Sequence, residues 1–197
     1  MTSKEFFNTI KADVIEDMAE SNILASLTAA QAYIESGSGG SKLALPPNNN
    51  LFGMKGEYKG QSVLMNTKEF VNGKYITVKA KFRKYPDWKS SIKDHSELFH
   101  RLRRYENLIG ETDYRAACRK VQEDGYCTSP TYTSTLIKTI EQFNLNEWDV
   151  VVPDPELDAA IKVIAERVIS GMFGFGHDTR MLRIYELIRK KVNDILK

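Results

Sequence analysis

Ser62-Val63-Leu64-Met65-Asn66-Thr67-Lys68-Glu69-Phe70, then Val71-Asn72-Gly73-Lys74, then Tyr75-Ile76-Thr77-Val78-Lys79-Ala80-Lys81-Phe82-Arg83 reads as two strands joined by a tight turn. Asn-Gly is the strongest two-residue hairpin signal, because both positions tolerate positive φ. A turn at Asn72-Gly73 sets the register: Val71 with Lys74, Glu69 with Ile76, Thr67 with Val78, Met65 with Ala80, Val63 with Phe82. Those residues share one largely apolar face, and Asn66, Lys68, Thr77, Lys79 and Lys81 share the other, the alternation of a half-buried antiparallel pair.

Outside this stretch the apolar period is helical. Residues 4–20 carry Phe6, Phe7, Ile10, Val14, Ile15 and Met18 on one stripe. A second helix is expected from Ser26, a residue able to cap it, to Glu35, where Ser36-Gly37-Ser38-Gly39-Gly40-Ser41 breaks it. Pro46-Pro47-Asn48-Asn49-Asn50 is a loop. Three more helices are expected over 91–102, 113–122 and 131–143. One hairpin among helices makes the class α+β. Residues 146–155, with two prolines, read as a linker between a domain of residues 1–145 and a small all-α unit over 156–197.

A chain of 197 residues has room for one sizeable core and a small appendix. Its 28 basic and 26 acidic side chains leave a formal charge of +2, and residues 1–150 and 151–197 each carry +1 (20 against 19, and 8 against 7). That balance argues against a nucleic-acid partner, even with basic residues at 79–84 and 101–104. No apolar run is long enough to span a bilayer, so membrane insertion is not expected. Nor does Met1-Thr2-Ser3-Lys4-Glu5-Phe6-Phe7 open like a signal peptide, which leads to the expectation of synthesis in a cytoplasm. Cys118 and Cys127 are too few for a disulfide framework or a zinc site and are expected as free thiols. His95, His100 and His177 lack metal-ligand pairing and read as surface or helix-face residues, so neither metal nor cofactor is expected.

Two acids stand out. Glu69 falls on the apolar face of the hairpin, either as a desolvated carboxylate over a groove or as an exposed residue near the turn. Glu35 ends an apolar helix, where the macrodipole disfavours a negative charge, and small residues come after it. It reads either as a proton donor beside an open groove or as a frayed helix end. A protonated carboxylic acid with a second acid opposite is the layout of glycoside hydrolysis.

Ala29-Ala30-Gln31-Ala32-Tyr33-Ile34-Glu35-Ser36-Gly37 followed by Asn49-Asn50-Leu51-Phe52-Gly53-Met54-Lys55-Gly56 closely resembles the bacterial and phage glucosaminidases of glycoside hydrolase family 73. The likeness continues in order through Thr67-Lys68-Glu69, Phe82-Arg83-Lys84-Tyr85, Arg104-Tyr105 and Gly125-Tyr126, over roughly residues 3–145. The resemblance implies a lysozyme-like, mostly helical domain with one hairpin lobe, and hydrolysis of the β-1,4 bond after N-acetylglucosamine in peptidoglycan. It places Glu35 on the general acid, Glu69 on the second acidic residue and Tyr126 on the active-site tyrosine. Two routes stay open: water activated by Glu69, or assistance by the substrate's acetamido group with Glu69 and Tyr126 stabilising charge. Departures are Ser38 in place of the family's tryptophan, and Cys127 and Ser129 in place of its alanine and aspartate.

Asn50 and Phe52 could bind saccharide through an amide and an apolar platform, or could serve the loop itself. Tyr85 could line a groove; Tyr132 could touch substrate or pack its helix. Residues 160–176, with Val192-Asn193-Asp194-Ile195-Leu196, are similar to the short helical wall-binding repeat of phage lysins. That resemblance implies peptidoglycan contacts from Arg167, Gly171, Gly174 and Gly176; the alternative is helices that self-associate. Together these features point to a phage or prophage endolysin acting on the wall after release. The alternatives are a muramidase cutting the other glycosidic bond and a module that binds wall without cutting it.

Overall fold

The computed structural model describes residues 1–71 and 74–150, with the backbone alone for residues 68–71 and 75. The expected turn at Asn72-Gly73 and the expected wall-binding residues Arg167, Gly171, Gly174 and Gly176 therefore lie outside the described residues.

The described chain runs α1 (Ser3–Ser21), α2 (Ala25–Ser36), β1 (Ser62–Val71), β2 (Lys74–Arg83), α3 (Trp88–Arg101), a 3-10 helix (Arg103–Leu108), α4 (Tyr114–Glu123), α5 (Tyr132–Gln142) and a 3-10 helix (Leu145–Trp148). Helix α1 opens with a capping box in which Thr2 and Glu5 satisfy each other's backbone amides. Its Phe6, Phe7, Ile10, Val14 and Met18 are buried, so the stripe read from spacing is the face it presents to the core. Asp87 and Asp113 cap α3 and α4 by accepting from Ser90 N–H and Arg115 N–H.

Helix α2 is the centre of the helical body. Ala25, Leu27, Ala29, Ala30 and Ala32 are all at most 1% exposed, and α1, α3, α4, α5 and the last 3-10 helix pack around it. Alanine at four of those positions lets the neighbouring helices approach closely while retaining the highest helix propensity. Ser26 does not cap this helix. The N-cap position is Leu24, which offers no side-chain acceptor. The acceptor comes instead from 123 residues away: Asp149 Oδ1 accepts from Ser26 N–H at 2.8 Å, and its Oδ2 from Ser26 Oγ–H at 2.6 Å. One of the amides that every helix start leaves unpaired is thereby satisfied.

Residues 146–149, expected as the start of a linker, accordingly belong with the helical body. Leu145 is fully buried, and the rings of Trp148 and Phe143 lie 6.0 Å and 4.8 Å from that of Phe7. Phe7 stacks in turn on Tyr33 of α2 at 5.0 Å. This aromatic cluster ties the last described elements to α1 and α2.

Strands β1 and β2 pair antiparallel in the expected register, from Val63 with Phe82 to Val71 with Lys74. The alternation is also as read, with Leu64, Asn66, Thr77, Lys79 and Lys81 exposed and Val63, Met65, Thr67, Val78 and Ala80 partly covered. Phe82 alone among the described hairpin side chains is buried, and Ile76 on the inner face is 42% exposed. A two-stranded ribbon has no third layer to cover it, so its hold on the body is concentrated at its base. There Arg83 pairs with the buried carboxylate of Asp94 on α3, which also accepts from the Tyr85 hydroxyl at 2.6 Å.

Asp149→Ala is expected to cost about 1–2 kcal/mol, the usual worth of a helix cap. Urea unfolding should show a lower midpoint with an unchanged slope, and Asp149→Asn should retain most of the stability.

Candidate active site

Glu35 occupies the last turn of α2, where the helix stops because Gly37 adopts φ +60°. The chain then turns sharply, with Gly39 N–H donating to the buried Ser36 Oγ at 2.7 Å. A side chain at Gly39 would have its Cβ 2.8 Å from the Trp88 ring and 2.9 Å from the Phe6 ring. This loop is pressed onto the core, so the direction in which Glu35 leaves the helix is fixed from behind.

The Tyr132 hydroxyl donates to Glu35 Oε1 at 3.0 Å and accepts from Gln31 Nε2 at 3.1 Å. Gln31 is fully buried one helical turn before Glu35, and Tyr132 is 4% exposed at the start of α5. A line of three polar groups therefore runs from the core to the carboxyl, and each bond orients the next. Glu35 itself is solvent-accessible, yet burial raises its pKa above the ordinary carboxylate value while the Tyr132 hydrogen bond pulls the other way. Glu35 thus combines access to solvent with a partly desolvated carboxyl.

Tyr126 belongs to the same cluster. Its ring lies parallel to that of Tyr132, 6.0 Å away at 17°, and meets the edges and faces of His95 and Phe99 at 5.7 Å and 5.9 Å. Burial pushes its phenol well above the usual value, and the neighbouring Tyr132 and Glu35 add to the shift. Tyr126 thus carries a neutral hydroxyl, able both to donate and to accept a hydrogen bond.

His95 corrects the expectation of a surface histidine. It is fully buried, stacked on Phe52 at 3.9 Å, and burial alone lowers its pKa to about 3. The ring is therefore neutral, and it forms part of the wall behind Tyr126. His100 is exposed and meets the Ser21 carbonyl at 2.8 Å.

Two residues expected at substrate, Asn50 and Phe52, belong to the scaffold instead. The Asn50 amide donates to the Met54 and Arg83 carbonyls at 3.0 Å and 2.8 Å, and its oxygen accepts from Met54 N–H at 3.0 Å. Its hydrogen bonds join the loop to the hairpin base, with the residue 1% exposed. Phe52 is 6% exposed and packed on His95, so no free face remains for a sugar. Tyr85 is 2% exposed with its hydroxyl bound to Asp94, and it lines a cleft, as expected, though one that Glu35 does not share. Tyr132 is also buried, and its role is one that sequence reasoning missed: it holds Glu35. A tyrosine opening a helix carries no local signal for a contact 97 residues away.

Glu69 pairs with Ile76 in the ribbon, six residues beyond the Val63–Phe82 pair, or about 20 Å along the strand from the buried base. Its side chain lies outside the described set. Cys127 and Ser129 leave the Tyr126 turn intact: Tyr126 N–H donates to the Val121 carbonyl at 3.1 Å, and Gln122 Nε2 to the Ser129 carbonyl at 3.0 Å. Cys118 is buried, Cys127 is partly exposed, and both are free thiols. Among the described residues no group of three His, Cys, Asp or Glu is arranged to hold a metal ion.

Tyr132→Phe removes the one hydrogen bond that favours the Glu35 carboxylate over its acid. The Glu35 titration, followed by carboxyl-carbon NMR, is expected to move to higher pH in this variant, with Tyr126 still in place as judged by its ring signals.

Comparison with known proteins agrees with this geometry. Residues 11–145 match the glucosaminidase family, described as mannosyl-glycoprotein endo-beta-N-acetylglucosaminidase. The exo-glucosaminidase LytG of Bacillus subtilis is 40% identical over 149 residues, covering 72% of this chain and 52% of LytG. A protein of Lactococcus lactis subsp. cremoris named "Probable N-acetylmuramidase" is 32% identical over 155 residues, covering 75% of this chain and 35% of its own length. The chain thus spans about half the length of LytG, and less of the Lactococcus protein. The catalytic domain of the Listeria monocytogenes autolysin Auto superposes with a TM-score of 0.71 at 33% identity, covering 75% of this chain and 87% of that one. The mostly helical body with a single two-stranded sheet is thus the lysozyme-like arrangement of such domains. With the match covering well over half of its residues, the chain belongs to the glucosaminidase family.

Proposed function

We propose that this chain is a peptidoglycan hydrolase that cleaves the β-1,4 bond between N-acetylglucosamine and N-acetylmuramic acid, with Glu35 as general acid. The observation that carries the reading is the Glu35 carboxyl: accessible to solvent, raised in pKa by burial, and held by the Tyr132 hydroxyl at 3.0 Å. In its protonated form it delivers a proton to the departing glycosidic oxygen. Tyr126, neutral and beside it, offers a hydroxyl oxygen lone pair to the positive charge that develops at the reacting sugar. Glu69 is the second acid. It either activates water or supports attack by the substrate's own acetamido oxygen, and in both routes the hairpin must lie over the glycan to bring it there.

A second reading, cleavage of the other glycosidic bond by the same acid, is favoured by the name of the Lactococcus relative. The two differ in the sugar left at the new reducing end. We further propose that residues 156–197 bind wall material through Arg167, Gly171, Gly174 and Gly176 rather than self-associating. The protein would then work as a phage or prophage endolysin, released to the wall from the cytoplasm in which it is made. The support is the tail's resemblance to the wall-binding repeat of phage lysins; a second attachment point raises the local concentration of a weakly bound enzyme.

Glu35→Gln is expected to lose about 10²–10⁴-fold in rate on purified peptidoglycan while remaining folded. Borohydride reduction and mass spectrometry of the parent's digest should show reduced N-acetylglucosamine ends; reduced muramic acid ends would select the second reading. Because Glu35 must be protonated, kcat/KM should fall as pH rises through its elevated pKa. A Glu35→Gln protein as active as the parent would remove Glu35 from the mechanism.

A further inference from the structure

A cleft of about 520 Å³ lies between the Pro46-Pro47 loop and the base of the hairpin, within the usual range for small-ligand sites. No member of the Glu35, Tyr132 and Tyr126 cluster lines it. Its apolar walls are Pro46, Pro47, Pro86 and the ring of Tyr58, which lies 4.7 Å from that of Tyr85 beneath it. Two cations, Lys59 and Lys84, also line it, with the amide residues Asn49 and Gln61.

The walls are fixed in advance. Asn49 Nδ2 donates to the carbonyls of Tyr85 and Pro86, each at 3.0 Å. Tyr85 N–H donates to the Asn48 carbonyl at 2.9 Å, Lys84 N–H donates to that of Gln61 at 3.3 Å, and Tyr58 and Gln61 bond reciprocally. A ligand therefore meets a shaped surface and loses little to ordering the protein.

The charge in this cleft is uncompensated. Among the described residues no carboxylate pairs with Lys59 or Lys84. The nearby acids are engaged elsewhere: Glu57 with Lys81 at 2.7 Å, and Asp87 with Ser90 N–H at the start of α3. Lys59 rests over the Tyr58 ring at 5.2 Å, which holds its ammonium at the cleft. Gln61 adds an amide to the lining. Small apolar walls, an amide and two unpaired cations complement a short acidic peptide of small side chains better than a neutral sugar.

We propose that this cleft is a subsite for the carboxylate-bearing stem peptide of peptidoglycan, with Lys59 and Lys84 pairing its carboxylates and the proline and tyrosine surfaces receiving its alanine methyls. The proposal rests on the reading of the chain as a peptidoglycan hydrolase, but its binding test does not need catalysis.

The full chain and its Lys59→Ala/Lys84→Ala variant are compared on peptidoglycan with stems intact and on the same glycan freed of stems by an amidase. The variant should lose about tenfold in kcat/KM on the stem-bearing substrate, the scale of two exposed ion pairs, and little on the stripped one. In parallel, a soluble stem pentapeptide is titrated while the NMR signals of Tyr58 and Gln61 are followed. They should shift in the parent, and hardly at all in the variant or with a peptide whose carboxylates are amidated. Equal losses on both glycans, no loss on either, or equal binding of the amidated peptide would overturn the proposal. So would tighter binding of a glycerol-phosphate polymer, which would assign the cleft to phosphate. A parent inactive on both glycans would instead refute the hydrolase reading, leaving the titration to decide the cleft.

Discussion

A helix enclosed by other helices meets polar partners mainly at its two ends, and α2 uses both. Along its length alanines admit α1, α3, α4 and α5 to close range. At its start Asp149 accepts from Ser26; at its finish Tyr132 donates to Glu35. Both partners come from the far end of the described chain, so the packing that buries α2 also assembles the site. Burial raises the Glu35 pKa, and the Tyr132 hydroxyl restrains the carboxyl.

The hairpin obeys a different constraint. Its strands satisfy each other's backbone groups but bury little, and Phe82, Arg83 and the Asn50 amide hold its base. Arg83, Tyr85 and Asp94 form a partly sheltered polar knot in which the aspartate is matched by a cation and a hydroxyl. Among the described residues its buried contacts are thus concentrated at the base, close to the cleft lined by Lys59 and Lys84.

Much of this was legible in the residues. The register of β1 and β2 came from Asn72-Gly73 and the alternation on either side, because both are local. The helix stripes were local too, and Glu35 was identifiable from the motif that carries it. The contacts that escaped are those whose partners are far apart in the chain. Ser26 has the chemistry of a cap, but the acceptor its helix needs belongs to Asp149. Asn50 and Phe52 have the chemistry of a sugar site, but packing placed both inside, where the amide completes the backbone bonds of Met54 and Arg83. His95 shares a helix stripe with Ile92 and Phe99, but Phe52 and Tyr126, which complete its enclosure, are distant in the sequence. Side-chain chemistry limits the tasks open to a residue; tertiary burial decides which of them it performs.

The clasp between Asp149 and Ser26 also bears on where the folded body should be cut or spliced. The match to the family ends at residue 145, whereas the stitching that secures the first buried turn of α2 continues through Trp148 and Asp149. A recombinant fragment trimmed to the aligned region would lack that stitch and leave an amide and a hydroxyl of α2 seeking water. Fusions that graft another module onto this body should therefore join it beyond residue 149, keeping four residues that the family match alone would discard.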